Sequence, residues 1–246
     1  MNKMKSVRRK YSMAGQILFI ALLAGIVQGI TGFGAGIVMM MLPLQFAVAQ
    51  SAGISSSICL VLSGVMAYQY RKHINLKKIV APAVLYIACS SASIMFAARV
   101  DQDVMRMILG AFLTILAIYF LFFSKNNFAP TGIVSVLCIV ISGICDGMFG
   151  VGGPLMVLYY MAKTKDKDEY LGTIQAFFVI VVFYAGIFRA VNGILAPELI
   201  LPIAIGMAGI LAGLKIANKI VDRLNPAMIQ KLTYMLIGIC GLTNLF

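Results

Sequence analysis

Hydrophobic residues run along this chain in long blocks, with polar residues gathered into short clusters between them. Tyr11 through Tyr70 is sixty residues without one Asp, Glu, Lys or Arg, and Ile79–Ala98 and Met107–Ser124 are equally free of charge. A hydrocarbon core of ~30 Å needs about 20 apolar residues per helix, and most of these blocks reach that length. They lack the alternation of a β-barrel. The pattern therefore predicts an all-α polytopic membrane protein of about eight transmembrane segments. Four of them, Ala14–Ala49, Gly53–Tyr70, Ile79–Ala98 and Val104–Phe123, form a first half. Thr131–Ala162, Leu171–Phe188, Leu199–Leu214 and Met228–Phe246 form a second. In domain terms, residues 1–13 read as a basic N-terminal tail, 14–124 as a first membrane repeat, 125–130 as a linker and 131–246 as a second membrane repeat.

The first segment of each half is interrupted from within. Gly25-Ile-Val-Gln-Gly-Ile-Thr-Gly-Phe-Gly-Ala-Gly36 is echoed by Gly143-Ile-Cys-Asp-Gly-Met-Phe-Gly-Val-Gly-Gly-Pro154, and a shift of 118 positions lays four glycines of one on four of the other. Each glycine costs about 1 kcal/mol against alanine inside a helix, so such a density predicts a broken helix. Close helix packing of the small-xxx-small kind accounts for Gly25 and Gly29 alone. A break at membrane depth survives only where its freed N–H and C=O groups are buried in protein or line a polar cavity. Two breaks in matching positions of two half-chains point to a transporter's substrate site. Gly172-Thr-Ile-Gln175 falls opposite Gly53-Ile-Ser-Ser56, and Pro202 opposite Pro82, so the repeat covers nearly the whole chain. If the glycine segments are re-entrant, the two halves are inverted; the even spread of basic loops leaves the side of the N-terminus open.

Composition narrows the reading further. The chain is 61% hydrophobic and 11% charged, with a net charge of +12. The positive charge sits in connections such as Lys3–Lys10 and Arg71–Lys78, where anionic lipid and membrane topology account for it; no nucleic-acid partner is expected. Cys59, Cys89, Cys138, Cys145 and Cys240 lie in apolar runs without a C-x-x-C pair and read as small buried hydrophobes. The N-terminus resembles the basic and apolar regions of a signal peptide, but no small-residue cleavage site follows, so a retained segment is expected. No P-loop, nucleophile–base pair or metal-ligand cluster is present, which points away from an enzyme and from any cofactor.

The candidate chemistry is that of an anion site. A helix restarting after a break offers unpaired N–H groups and a positive dipole. Gln28 and Thr31, with Ser55–Ser57 and Gln175 on the following helices, add neutral donors. A serine bonding its own helix carbonyl is an equal reading. The candidate substrate-binding set is Gln28, Gly29, Thr31, Gly32, Gly34 and Gly36 in the first stretch, and Asp146, Gly147, Gly150, Gly152 and Gly153 in the second. Ser55, Ser56, Thr173 and Gln175 complete it. Asp146 is the acid inside a glycine stretch, opposite Gln28. Its open roles are a coupling proton, a cation ligand or a cap on the broken helix. Arg189 closes an apolar run of nineteen residues; its open roles are snorkelling to the interface, the preferred one, and facing the cavity as a counter-charge to an anion. His73 reads as a solvated loop residue. Rival classes are a cation carrier built on Asp146 and a membrane redox or assembly factor built on the cysteines.

Gly29-Ile-Thr-Gly-Phe-Gly-Ala-Gly36 with Pro43, and Gly143-x-x-x-Gly-x-Phe-Gly-Val-Gly-Gly153, resemble the paired signatures of the TauE/SafE sulfite-exporter family of permeases. Length, the two-fold repeat and Gly172-Thr173 belong to the same resemblance, while Pro154 departs from the glycine run expected there. The resemblance implies a multi-pass protein of a bacterial-type inner membrane that transports sulfite, sulfonates or related small organosulfur anions. It also makes the two glycine motifs the elements of the substrate pathway. Membrane lipid is the other expected partner, and a homodimer is left open.

Overall fold

The computed structural model describes residues 2–42, 46–123, 130–220 and 226–245, and all regular structure among them is helical. Pro43 and residues 125–129 of the expected linker lie outside the described residues. In order, the helices are α1 (Asn2–Thr31), α2 (Ala35–Met39), α3 (Val48–Gln69), α4 (Val80–Ala97), α5 (Gln102–Phe123), α6 (Gly132–Phe149), α7 (Gly153–Lys163), α8 (Lys167–Val191), α9 (Ile200–Ile220) and α10 (Pro226–Leu245). Seven segments are long and apolar enough to cross a membrane, one in each of α1, α3, α4, α5, α6, α8 and α9. The expected eighth corresponds to α10, a 20-residue helix whose apolar character is diluted by Gln230, Lys231 and Asn244. Helix α1 begins at Asn2 and continues through the basic tail, as Lys and Arg, both good helix formers, allow.

Both glycine stretches break their helices. Helix α1 stops at Thr31 and the short α2 restarts at Ala35; α6 stops at Phe149 and α7 restarts at Gly153. The glycines that precede each break serve a different purpose, which is close packing. Gly25 sits on the Ile210 backbone and Gly29 on Leu214 and Ala217, so α1 and α9 lie side by side in the same direction. In the same way Gly143 sits on Tyr86 and Gly147 on Ser90, which sets α6 beside α4, again in the same direction. Helices α3 and α8 run antiparallel, with Gly53 near Leu195 at one end and Gly172 against Tyr70 at the other. Helices α5 and α10 are antiparallel too, Gly110 meeting Gly241 and Gly238 meeting Ala117. Lipid tails are as apolar as leucine, so water exclusion does not drive these pairs together. Dispersion contacts at close backbone approach do.

The two ends of the α3–α8 pair are joined differently. At the Gly172 end, Glu169 accepts from Lys78 Nζ at 2.6 Å, Asn75 Nδ2 at 3.0 Å and the Lys165 N–H at 2.8 Å. Asp166 caps α8 by accepting from the Glu169 N–H, and the Asn75 N–H donates to Thr173 Oγ1. This knot ties the loop before α4 to the start of α8. At the other end, the contact described is Leu195 packed on Gly53.

Gly213 lies on the Leu22 carbonyl, where an added Cβ would collide with backbone, whereas Gly186 on α8 has open space around it. Gly213→Val is expected to destabilise the protein by about 1–3 kcal/mol through overpacking, read as a lowered unfolding temperature in detergent. Gly186→Ala should leave that temperature unchanged or raise it slightly.

Candidate functional site

At the first break, Gly32 (φ 81°) and Gly34 (φ 98°) occupy the left-handed region that L side chains rarely adopt, and this turns the chain from α1 into α2. The freed polar groups are met by two glutamines. Gln28 Oε1 accepts from the Ala35 N–H at 3.2 Å, and Gln28 Nε2 donates to Gln175 Oε1 at 3.2 Å. Gln175 Nε2 in turn donates to the Gly32 carbonyl at 2.7 Å. Helix α8 thus stitches the gap in α1. The Thr31 hydroxyl stays local, within hydrogen-bonding reach of the Val27 and Phe33 carbonyls.

The second break is stitched by a charge. Gly150 (φ 69°) ends α6, Gly152 precedes α7, and Pro154 stands in the first turn of α7, where its missing N–H has no partner to lose. The last carbonyls of α6 receive Arg189 from α8. Its guanidinium donates to the Asp146 and Gly147 carbonyls and, at 2.7 Å, to Ser56 Oγ. Arg189 is 1% exposed, so the snorkelling expectation is corrected. Carbonyls released at depth, at the negative end of a helix dipole, offer the guanidinium a better partner than the interface does.

Asp146 lies in the last turn of α6, is 3% exposed and caps neither short helix; the N-cap of α7 is Gly152, without a side-chain cap. Its carboxyl accepts from Ser90 Oγ at 3.2 Å, and Tyr86 is its other hydrogen-bonding neighbour.

Between the breaks lies a cleft of about 500 Å³, of which about 50 Å³ admits the centre of a water molecule. That is room for a few waters or one small ion. Gly36 and Gly150 face each other across it, so closely that a Cβ on Gly36 would stand 2.7 Å from the Gly150 carbonyl. Of the sequence candidates, Gln28, Gly34, Gly36, Ser55, Ser56, Asp146, Gly150, Gly152 and Gly153 line this cleft. The others are placed elsewhere. Gly29 and Gly147 pack against α9 and α4, Gly32 and Gln175 belong to the stitch, Thr31 stays local and Thr173 receives the Asn75 N–H. The lining also contains Ser63, Cys59, Tyr86, Phe178 and Val182, which sequence reasoning missed. Ser63, Tyr86 and Arg189 each carry a polar group inside an apolar helix. That signal was available, but their meeting at the breaks depends on helix pairing.

A family model described as Sulfite exporter TauE/SafE matches residues 17–243. No curated protein and no solved structure matches the chain.

Arg189→Met would take the described donor from the buried Gly147 carbonyl, at a cost of about 1–3 kcal/mol, and would leave the Asp146 carbonyl with the Gly150 N–H alone. The variant is expected to insert but to unfold at a markedly lower temperature in detergent. Arg189→Lys, which keeps the charge but loses the fork, should fall between it and the parent protein. Equal unfolding temperatures for all three would show that the guanidinium does not hold the second break.

Proposed function

The chain belongs to the sulfite exporter TauE/SafE family, and on that premise we propose that it carries a small sulfur oxyanion, sulfite or a short sulfonate, through the cleft between α2 and α7. Family and helices together make it a multi-pass membrane transporter. The observation that carries the substrate reading is the start of α7 at the cleft. First-turn N–H groups have no partner within their own helix and the dipole there is positive, so the lining favours negative charge. Ser55 and Ser63 add hydroxyls, whereas Ser56 donates to the Ala52 carbonyl and accepts from Arg189; among the described residues no lysine or arginine side chain lines the space to hold an anion too long. The first stretch contributes the Gly34–Gly36 backbone, held in position by the Gln28–Gln175 pair.

The proposed mechanism is alternating access by two inverted halves, 14–124 and 131–246. Its support is that helices matched by the sequence repeat, α3 with α8 and α5 with α10, run antiparallel, as inversion requires. The pairing of α1 with α9 is mirrored by that of α6 with α4. Rocking of one half against the other would expose the cleft first to one face and then to the other. Such a carrier needs only an ion gradient or the gradient of its own substrate. A bacterial inner membrane is the location that goes with this reading.

Proteoliposomes containing the protein should move sulfite or methanesulfonate faster than empty liposomes. Flux of a divalent metal cation, with none for any sulfur oxyanion, would overturn the assignment. Gly152→Leu would drive its side chain into the Tyr86 hydroxyl and towards Asp146, and Gly34→Leu would force leucine into a left-handed backbone. Both are expected to lower flux at least about tenfold while insertion persists, because backbone must approach the ligand there. Normal flux in both variants would remove these turns from the path.

A further inference from the structure

Among the described residues the cleft lining carries one acidic side chain, Asp146, and it is fixed in place. The Asp146 carboxyl is held by Ser90 and Tyr86 from α4, two hydroxyl donors that leave room on its oxygens for another. An ionised carboxylate only accepts hydrogen bonds, and its two oxygens offer about four lone-pair sites. The remaining lining is largely apolar, with Ile37, Val151, Phe178 and Val182, and its other polar groups include the Ser55 and Ser63 hydroxyls and the backbone at the start of α7. An anion drawn to the first-turn N–H groups of α7 and the serine hydroxyls therefore meets, among the described residues, one carboxylate acceptor at the Asp146 edge.

The other titratable groups facing Asp146 are Arg189 from α8, Tyr86 from α4, Cys59 from α3 and Cys145 on its own helix. Of these, Arg189 is the cation. It spends its hydrogen bonds on the Asp146 and Gly147 carbonyls and on Ser56, not on the carboxylate oxygens. Arg189 therefore balances the charge of Asp146 without occupying its acceptor sites.

We propose that Asp146 selects, among small sulfur oxyanions, those that bring a hydrogen-bond donor of their own: hydrogensulfite rather than sulfite, and an N–H- or O–H-bearing monoanion rather than an aprotic one. This rests on the cleft being the anion path. An aprotic anion seated on the donors sets one of its oxygens or a methyl group against the carboxylate. The first is repulsive, and the second leaves a buried acceptor unmet. An anion with an N–H or O–H at that edge forms a charge-assisted hydrogen bond to Asp146, the strong class of such bonds. The small free volume admits little beyond the headgroup, so the donor must sit on or next to the sulfur.

Sulfamate and methanesulfonate form a matched pair for the test. They have the same charge and nearly the same size, stay singly ionised at neutral pH, and differ by an NH₂ against a CH₃. With the purified full-length protein at one neutral pH, sulfamate is expected to raise the unfolding temperature and to cross proteoliposomes at least about tenfold faster than methanesulfonate. In Asp146→Asn, whose amide both donates and accepts, the sulfamate preference should collapse. Equal stabilisation and flux for the two anions in the parent protein overturns the inference and leaves the transport reading standing. No response to either anion, or to sulfite, overturns both. If Asp146→Asn does not fold, the parent protein's ratio alone decides; if it folds and keeps the full preference, Asp146 is not the selector.

Discussion

Backbone polar groups cannot be left unpaired in a bilayer, and this constraint shapes the centre of the molecule. Two helical runs are cut, between Thr31 and Ala35 and between Phe149 and Gly153, and each cut releases N–H and C=O groups that must find partners within the protein. The chain answers each cut from α8. Gln175 reaches the first through Gln28, and Arg189 reaches the carbonyls before the second. One helix therefore secures both interruptions and also forms part of the wall between them, through Phe178 and Val182. The cleft exists because the cuts are stitched on one side and left open on the other.

The glycine stretches serve two needs in succession. Their leading residues, Gly25 with Gly29 and Gly143 with Gly147, let neighbouring helices touch backbone to backbone. Their trailing residues turn the chain at Gly34 and Gly150. Rigid packing immediately before the turn fixes where the turn lies. A bulky residue at the leading positions would thus disturb the cleft from outside it.

Much of this was legible in the residues. Long charge-free blocks announce membrane helices, and the density of Gly32, Gly34 and Gly36 announces a break, because both signals are local and follow from backbone chemistry. The last helix, α10, was legible as an element. What was not legible is what depends on partners far along the chain. Arg189 follows an apolar run and so suggests an interface; only the approach of α6 supplies its carbonyls. Thr31 and Thr173 look like spare donors, yet one serves its own turn and the other holds the loop before α4. Tyr86 and Ser63 carry no motif, and they reach the cleft through the pairing of α4 with α6 and the nearness of α3 to α1.

The two ends of the α3–α8 pair are closed by different forces. At one end Glu169 gathers Lys78, Asn75 and the Lys165 N–H; at the other, Leu195 rests on Gly53. The Lys78–Glu169 pair is partly buried and in contact at 2.6 Å, so salt screens it much less than it screens exposed charges more than about 10 Å apart at 0.1 M. Loss of the Glu169 charge would therefore loosen one end of the pair and leave the other, held by Leu195 on Gly53 and by the bond from Arg189 to Ser56, as it was.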